Sequence, residues 1–285
     1  MKRMSSSQAI AVAQPEIVRI HPLTGWTALN VKDLWERREL LLFLAWRDLK
    51  ASYAQTLLGV LWIFIKPLVL MAIFTVVFGW FVKVPSAGVP YPVFFFAGLI
   101  PWQFFVRAFS GAGTSLVTNH HLISKVYFPR LLLPLSAFVG PAVESIVMAL
   151  ALFVMMWVYD ITPAGTVWMV PILMMVAAGT AFGAGLWLAA LNVRYRDVAH
   201  AHVFITQIWF FATPVVYPET LVPQEWLWLY RLNPMTDVVE GFRSALFGAG
   251  QISGQAVMPI LMVVLLLVSG LYYFSQVERN YVDTV

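Results

Sequence analysis

Long stretches without a charged residue constrain this chain more than any other feature. A membrane-spanning helix needs roughly 20 consecutive apolar residues. Of the 285 residues, 60% are hydrophobic and only 11% are charged, which is more apolar surface than a soluble domain of this length buries. Four long uncharged stretches lie between Lys83 and Arg107, Asp160 and Arg194, Asp197 and Glu219, and Arg243 and Glu278. We therefore predict an all-α, polytopic integral membrane protein, because a helix satisfies its own backbone hydrogen bonds in lipid.

Six transmembrane helices are predicted, and the fifth is unusually short. It has only 13 residues between His202 and Pro214, roughly 20 Å of helix against a hydrocarbon core of about 30 Å. We expect it to stop inside the membrane or to thin the membrane locally. The six predicted spans are about 57–82, 92–117, 131–159, 167–191, 202–217 and 256–274.

The amino-terminal part is predicted to form a mobile cytoplasmic leader, residues 1–29, followed by an amphipathic interface helix, residues 30–50. The leader lacks the apolar core of a signal peptide. Asn30 is placed to cap the helix, which carries an apolar stripe and a charged face that includes Arg37 and Arg38. An ordinary surface helix of a soluble domain is the alternative.

Residues 218–248 are predicted to form a re-entrant helical pair, a gate region before the last span. Asn233 is placed to cap the second helix, Pro234 fits its first turn, and apolar residues then recur at helical spacing before Gly248. Backbone at such depth is tolerated only where it is buried in protein or lines an aqueous cavity. An outer loop lying on the lipid headgroups would also explain the Trp residues of this region.

Lys and Arg residues predict the orientation. With an inside amino terminus, thirteen of the 18 basic residues fall on the inner side, so both termini are predicted to be cytoplasmic. Lys83, Arg231 and Arg243 fall outside, while Lys66 and Arg107 fall within spans. The net charge of +4 is therefore interpreted as a record of topology, not of nucleic-acid binding.

Charged and aromatic residues within or near the spans are candidates for a translocation path. Lys66, Arg107 and Glu144 are intramembrane charges, expected to face a cavity or one another unless they extend to the interface. Aromatic residues toward the outer half form an interfacial belt or a surface for stacking on sugar rings. The candidate path or gate residues are Lys66, Trp102, Phe105, Arg107, Trp209, Phe210, Tyr217, Trp226, Arg231, Asn233 and Arg243.

Two inner loops are candidates for docking another protein. Thr118 or Asn119 is placed to cap a short amphipathic helix over residues 120–128. Residues 192–197 (NVRYRD) form a basic loop that either docks or sets topology. His120 and His121 are adjacent and do not share a helical face, so no metal site is predicted. The candidate coupling residues are Asn119, His120, His121, Leu122, Ile123, Lys125, Tyr127 and Arg130, with Arg37 and Arg38 of the interface helix.

The chain also lacks the sequence of an ATP-hydrolysing site. No Gly-Lys pair occurs, so the phosphate-binding P-loop is missing, and no zinc-protease motif or paired nucleophile and base is present. We predict a non-enzyme without a cofactor of its own. A membrane glycosyltransferase or phosphoglycosyltransferase would need acidic catalytic residues at the bilayer surface, and Asp160, Glu219 and Glu225 are too scattered to suggest one.

Several motifs resemble the permease subunits of ABC-2-type polysaccharide exporters, above all those of O-antigen export, with capsule and teichoic acid exporters as close relatives. Lys66 before Pro67 and the long leader depart from the family pattern. The motifs that carry the resemblance are RDLKASYAQTLLGVLW (47–62), GLIPWQFF (98–105), KVYFPR (125–130), NVRYRD (192–197), TPVVYP (213–218), NPM (233–235), GFR (241–243) and VERNYVD (277–283).

The resemblance implies a homodimer joined by two ATP-binding cassette subunits, which use ATP and Mg²⁺. The interface helix and the loop helix would meet the ATPase, and the re-entrant pair would form an outer gate. The substrate would be a lipid-linked polysaccharide, commonly on undecaprenyl diphosphate, exported across the bacterial inner membrane. An ABC-2 permease for a small molecule or drug would share this architecture.

Overall fold

The computed structural model describes residues 31–54, 58–126, 128–195, 197–248 and 257–281, and these residues are helical apart from turns and short connections. The all-α prediction is confirmed for this part of the chain. The helices are α1 Val31–Glu36, α2 Arg38–Tyr53, α3 Trp62–Phe74, α4 Tyr91–Thr118, α5 His120–Ile123, α6 Leu132–Ser136, α7 Val139–Val158, α8 Val170–Arg194, α9 Val198–Ala212, α10 Leu227–Tyr230, α11 Pro234–Phe247 and α12 Val257–Tyr281.

Within the described residues, five helical segments are long and apolar enough to cross a membrane. The predicted fifth crossing corresponds to α9, which has 15 residues and a length of about 22 Å. Helix α9 is therefore shorter than these five segments, as the sequence predicted. The five segments are Gly59–Phe81, Tyr91–Thr118, Leu132–Val158, Val167–Arg194 and Met258–Glu278.

Helix α4 forms the centre of the bundle. Its side chains are the most thoroughly buried of the five long segments, and it packs against α7, α8 and α11. Helices α8 and α12 approach closely at Gly183, because an added Cβ there would lie 2.6 Å from the Leu266 carbonyl carbon of α12. The bundle is therefore organised around one enclosed helix.

The amino-terminal helix differs from the prediction in one respect. A turn at Arg37 divides it into α1 and α2, and α2 continues to Tyr53, beyond the predicted end at residue 50. Leu44 and Ala45 are buried against the bundle, whereas Trp46 is 65% exposed. Asn30 and the leader lie outside the described residues.

The bundle has two ends. The amino-terminal helix α2, the short helix α5 and the α8–α9 connection lie at one, which we call the α2 end. Residues 213–233 and α11 lie at the other, the α11 end. Helix α4 joins them, since Phe94 contacts Arg243 near its start and Asn119 at its end contacts Arg47.

Candidate functional site

The chain leaves helical geometry where α9 ends, at the TPVVYP sequence. Thr213 is extended, with φ −106° and ψ 136°, and Thr213, Val215 and Val216 are almost fully buried. A buried carbonyl without a donor costs about 1–3 kcal/mol. An unwound segment therefore persists inside a bundle only when other groups bind its carbonyls.

Arg243 supplies the donors for two of these carbonyls. From α11, its guanidinium donates to the carbonyl of Pro214 at 2.7 Å and to that of Val215 at 2.5 Å. It also donates to Phe94 O of α4 at 3.2 Å and to Glu240 Oε1 at 3.2 Å. Its Cζ lies 3.7 Å from the centre of the Phe94 ring. The carbonyl of Val216 accepts from the Tyr91 hydroxyl at 2.8 Å, and that of Thr213 accepts from the Val215 N–H at 2.7 Å.

The space that Arg243 occupies depends on Gly98. A Cβ at Gly98 would overlap Arg243 Nη2. Three sequence motifs, around Gly98, Val215 and Arg243, therefore meet at one point. The charge count placed Arg243 outside the spans but did not indicate its burial: its side chain is only 3% exposed, because three carbonyls and a carboxylate take the place of water around it.

Asn233 joins the end of α9 to the start of α11. Its Oδ1 accepts from Met235 N at 3.1 Å, which is the predicted helix cap, and from Trp209 Nε1 at 3.0 Å. Its Nδ2 donates to Thr213 Oγ1 at 2.8 Å. Helix α11 ends at Gly248 with φ 66°, a conformation that favours glycine. The predicted second helix of the gate region is thus present with both predicted ends.

Outside this buried centre, the α11 end carries a group of charges. Arg231 Nε lies 3.7 Å from Glu219 Oε1. The backbone N–H of Glu219 donates to Glu240 Oε1. Burial, followed by the nearby Glu219 carboxylate, raises the pKa of Asp237 to about 6. The group is only partly enclosed, in contrast to Arg243.

An aromatic cavity of ≈ 430 Å³ lies beside these charges. The hydroxyls of Tyr217 and Tyr230 hydrogen bond to each other at 2.8 Å. Trp226 lines the cavity and is 54% exposed. The predicted gate residues Tyr217 and Trp226 therefore share one surface.

Nearer the α2 end, a second ionic group, which is only partly buried, joins three helices. Arg107 Nη1 of α4 lies 2.6 Å from Glu144 Oε2 of α7, and the Tyr53 hydroxyl of α2 donates to Glu144 Oε1. Glu144 is 9% exposed, but Arg107 is 45% exposed. Burial and the bond to Glu144 raise the pKa of Tyr53 to about 12, so its hydroxyl stays a donor at neutral pH. The expectation that Arg107 and Glu144 face one another is confirmed.

The loop helix at the α2 end is shorter than predicted. Helix α5 spans His120–Ile123, and the Asn119 side chain does not cap it. Instead Asn119 donates to Ser115 O at 2.9 Å and accepts from Arg47 at 2.7 Å. The predicted cap was wrong because Arg47 of α2 competes successfully for the amide oxygen.

The other candidate coupling residues occupy different positions. Leu122 and Ile123 pack on the bundle, and Lys125 is exposed. The ring centres of His120 and His121 lie 3.8 Å apart, with the two planes tilted by 39°. Arg38 binds Trp35 O, and Arg37 marks the break before α2. Tyr127 lies outside the described residues.

Arg130 binds the end of the last helix, donating to Glu278 O at 3.1 Å. A cation at this position is favourable, because the carbonyl end of a helix carries partial negative charge. Its role is thus at least partly structural.

The remaining path candidates separate into core and surface. Phe105 is fully buried and Trp102 is 4% exposed, and Phe105 packs edge-on against Trp209 with centres 4.7 Å apart. Phe210 is half-buried beside Trp102. Lys66 is exposed on α3, with its ammonium 5.5 Å from the centre of the Trp62 ring. Phe105 therefore belongs to the core of the subunit and not to an open surface.

Sequence reasoning did not identify Gly98, Tyr91 and Glu240 as parts of the Arg243 site at the α11 end. Gly98 and Tyr91 are far from Arg243 in sequence, and only the fold brings them together. The spacing of Glu240 three residues before Arg243 on one helix was the available indication. In the part of the chain that the structure describes, no three His, Asp or Glu side chains are grouped to hold a metal.

Comparison with known proteins identifies the family of this chain. The family model described as "ABC-2 type transporter" matches residues 39–247. An O-antigen export system permease protein RfbA of Myxococcus xanthus is 30% identical over 220 residues, which cover 76% of this chain and 84% of that protein. Two O-antigen export system permease proteins RfbA of Klebsiella pneumoniae are 26% and 24% identical over 247 residues, covering 86% of this chain and 94% of each relative. The matched residues include both ionic groups and the unwound segment between α9 and α11, and the chain belongs to the ABC-2 type transporter family.

Proposed function

We propose that this chain is the membrane-spanning subunit of an ATP-driven exporter that moves a lipid-linked, O-antigen-like polysaccharide across the inner membrane. The lipid carrier would be undecaprenyl diphosphate. Two copies of the chain would form the passage, and two separate ATP-binding cassette subunits would supply the energy. The single supporting observation is the unwound, side-chain-bound segment after α9, because a broken helix inside a bundle is typical of transport paths. The substrate class follows from the names of the relatives.

The proposed topology has six crossings and two cytoplasmic termini, with α9 as the short fifth crossing. Helix α8 returns the chain to the α2 end at Arg194. If α9 did not cross, residues 219–233 would lie on the cytoplasmic side and the carboxyl terminus outside. The α10–α11 region would then not be the outer re-entrant gate that we propose.

The absence of cysteine makes this topology simple to test. We expect Glu225→Cys to react with an impermeant maleimide on intact cells and Lys125→Cys to react only after lysis; both side chains are exposed. A tag after Val285 should be protected from external protease. Labelling of Lys125→Cys on intact cells, or digestion of the tag, would contradict six crossings.

In the proposed coupling mechanism, the ATPase contacts the α2 end, at α5, Lys125 and α2. The Arg47–Asn119 bond would make α2 and α5 move together, and the Tyr53–Glu144–Arg107 group would carry that motion to the central helix. We expect Lys125→Glu to weaken co-purification of the ATPase. Arg130 is unsuitable for this test, because it also holds the last helix.

The function itself is tested in sealed proteoliposomes that contain the chain and its ATPase subunit. We expect ATP-dependent appearance of a lipid-linked polysaccharide on the opposite leaflet, detected by a lectin. An ATPase whose P-loop Lys is replaced should give none. ATP hydrolysis by the isolated chain, or transport of a drug-like molecule without polysaccharide transport, would overturn the proposal.

A further inference from the structure

A groove runs along the subunit surface between α3, α4 and α9. Its volume is ≈ 310 Å³, which is at the lower end of the range for small-molecule sites. Aromatic rings and two carboxamides form most of the lining, which Leu70, Val106 and Thr206 complete. Its principal residues are Phe74, Trp102, Gln103, Gln207, Phe210 and Phe211.

The groove combines flat apolar faces with hydrogen-bonding groups. Trp102 forms the buried floor, with its ring centre 5.6 Å from that of Phe210. Phe211 is 56% exposed at the rim, and the Gln207 side chain is also exposed. Such a lining suits a sugar ring, which has an apolar face and a polar edge.

One helical turn toward the α2 end, the same surface becomes cationic. Residues four apart lie on one face of a helix. On α3, Lys66 lies one turn below Leu70 of the groove, and on α4, Arg107 lies one turn below Gln103. Both side chains are exposed. The groove therefore continues into a surface with two cations.

The two cations are not equivalent. Arg107 is held by Glu144 at 2.6 Å, so its pair is neutral overall and its guanidinium is fixed in place. Lys66 lies over Trp62 and supplies the net positive charge. A guanidinium and an ammonium that are both exposed at one end of a groove can donate to phosphate oxygens, and intramembrane charges are costly and usually functional.

We propose that this groove binds the phosphate-bearing end of a lipid-linked saccharide, with Lys66 and Arg107 on the phosphates and the aromatic and carboxamide side chains on the first sugars. This inference rests on the proposed function and adds to it the location of the phosphate-binding site and the residue that selects for a charged ligand. Lys66 makes the groove prefer a negatively charged ligand to an uncharged one, because the Arg107–Glu144 pair contributes no net charge.

Binding is tested with the purified chain in nanodiscs of phosphatidylcholine. The two ligands are a C20 prenyl diphosphate disaccharide and the same prenyl disaccharide without phosphate. We expect Lys66→Met to weaken binding of the diphosphate compound about five- to tenfold, a loss of roughly 1–1.4 kcal/mol, and to leave the uncharged compound unaffected. Lys83→Met, which removes an exposed cation elsewhere, is the matched control and should change neither affinity.

Equal affinity of wild type and Lys66→Met for the diphosphate compound would overturn the assignment, provided that both proteins have the same thermal midpoint. Equal competition by phosphatidylglycerol would also overturn it, since the surface would then bind anionic lipid in general. The proteoliposome export assay separates the two proposals. Undiminished export by Lys66→Met would remove only the phosphate site, whereas no export by the wild-type complex would remove the proposed function.

Discussion

Two arginines within the bundle occupy opposite kinds of environment. Arg243 is 3% exposed. Its guanidinium donates hydrogen bonds to the carbonyls of Phe94, Pro214 and Val215 and to the Glu240 carboxylate. Arg107 is 45% exposed and is held by one carboxylate. The same side chain therefore closes a break in the backbone at one end and presents a charge to a groove nearer the other.

The difference shows why an intramembrane charge does not by itself indicate a transport path. A buried cation that binds backbone carbonyls substitutes for missing helical hydrogen bonds. A cation that is partly exposed beside one anion keeps donors available. Burial and the identity of the partners decide between the two roles.

Removing Arg243 is the most severe way to test this comparison. Arg243→Met leaves three buried carbonyls and part of Glu240 without their donor, so we expect a loss of about 3–5 kcal/mol in the free energy of unfolding. An SDS titration of the purified protein, followed by tryptophan fluorescence, measures the change. Lys83→Met at an exposed cation is the control and should change it by less than about 0.5 kcal/mol. A loss under about 1 kcal/mol for Arg243→Met would show that the segment is held by other contacts.

Substitution of Gly98 tests the same site from the opposite side. In Gly98→Ala the new methyl group overlaps Arg243 Nη2, and we expect a loss of about 1–3 kcal/mol. In the Arg243→Met background the same change should cost much less, because the overlapping atoms are absent. This coupling is measured by a double-mutant cycle. Gly165→Ala, which meets no atom within 4 Å, is the control, and additive effects of Gly98→Ala and Arg243→Met would break the assignment.

The sequence predicted the elements of this region better than their contacts. The ends of α11 follow from Asn233 and Gly248, and the short α9 follows from Pro214, because caps, glycines and prolines act locally. The Arg243 contacts with Gly98 and Phe94 join distant parts of the chain, and no local periodicity encodes them. The same reason explains why the charge count did not indicate the burial of Arg243, since counting charges by loop assumes that each one meets water.

The errors near the α2 end have a similar cause. Asn119 is placed in sequence to cap α5, but Arg47 from another helix occupies its side-chain oxygen. The break at Arg37 was not predicted, because no glycine or proline lies near it in the sequence. The pairing of Arg107 with Glu144, by contrast, was predictable, because two opposite charges in neighbouring spans have a strong reason to meet in lipid.

Neutralising Glu144 sharpens the comparison by weakening the more open site. Glu144→Gln keeps the volume and an acceptor oxygen but loses the charge, and Arg107 retains its exposure. We expect a loss of about 1–2 kcal/mol in the same titration, clearly below that of Arg243→Met. Tyr53→Phe should cost about 0.5–1.5 kcal/mol, as for an ordinary hydrogen bond. A loss for Glu144→Gln as large as that for Arg243→Met would abolish the distinction between the two arginines.

The smallest effect is expected at Asp237, which lies on the same helix as Arg243 but is only partly enclosed. Its pKa is raised from 3.8 to about 6 by burial, with Glu219 adding and Arg231 opposing. The folded protein therefore holds this proton more tightly than the unfolded chain, so its contribution to stability is full below about pH 4 and is lost as the pH rises through about 6. When the pH is raised from 5 to 7, we expect the thermal midpoint of the wild type to fall by about 2 °C more than that of Asp237→Asn. This figure is reduced to allow for the partial exposure of the Asp237 carboxylate. Identical pH profiles would mean that the carboxylate is already solvated, in which case the enclosed part of α11 ends between Asp237 and Arg243.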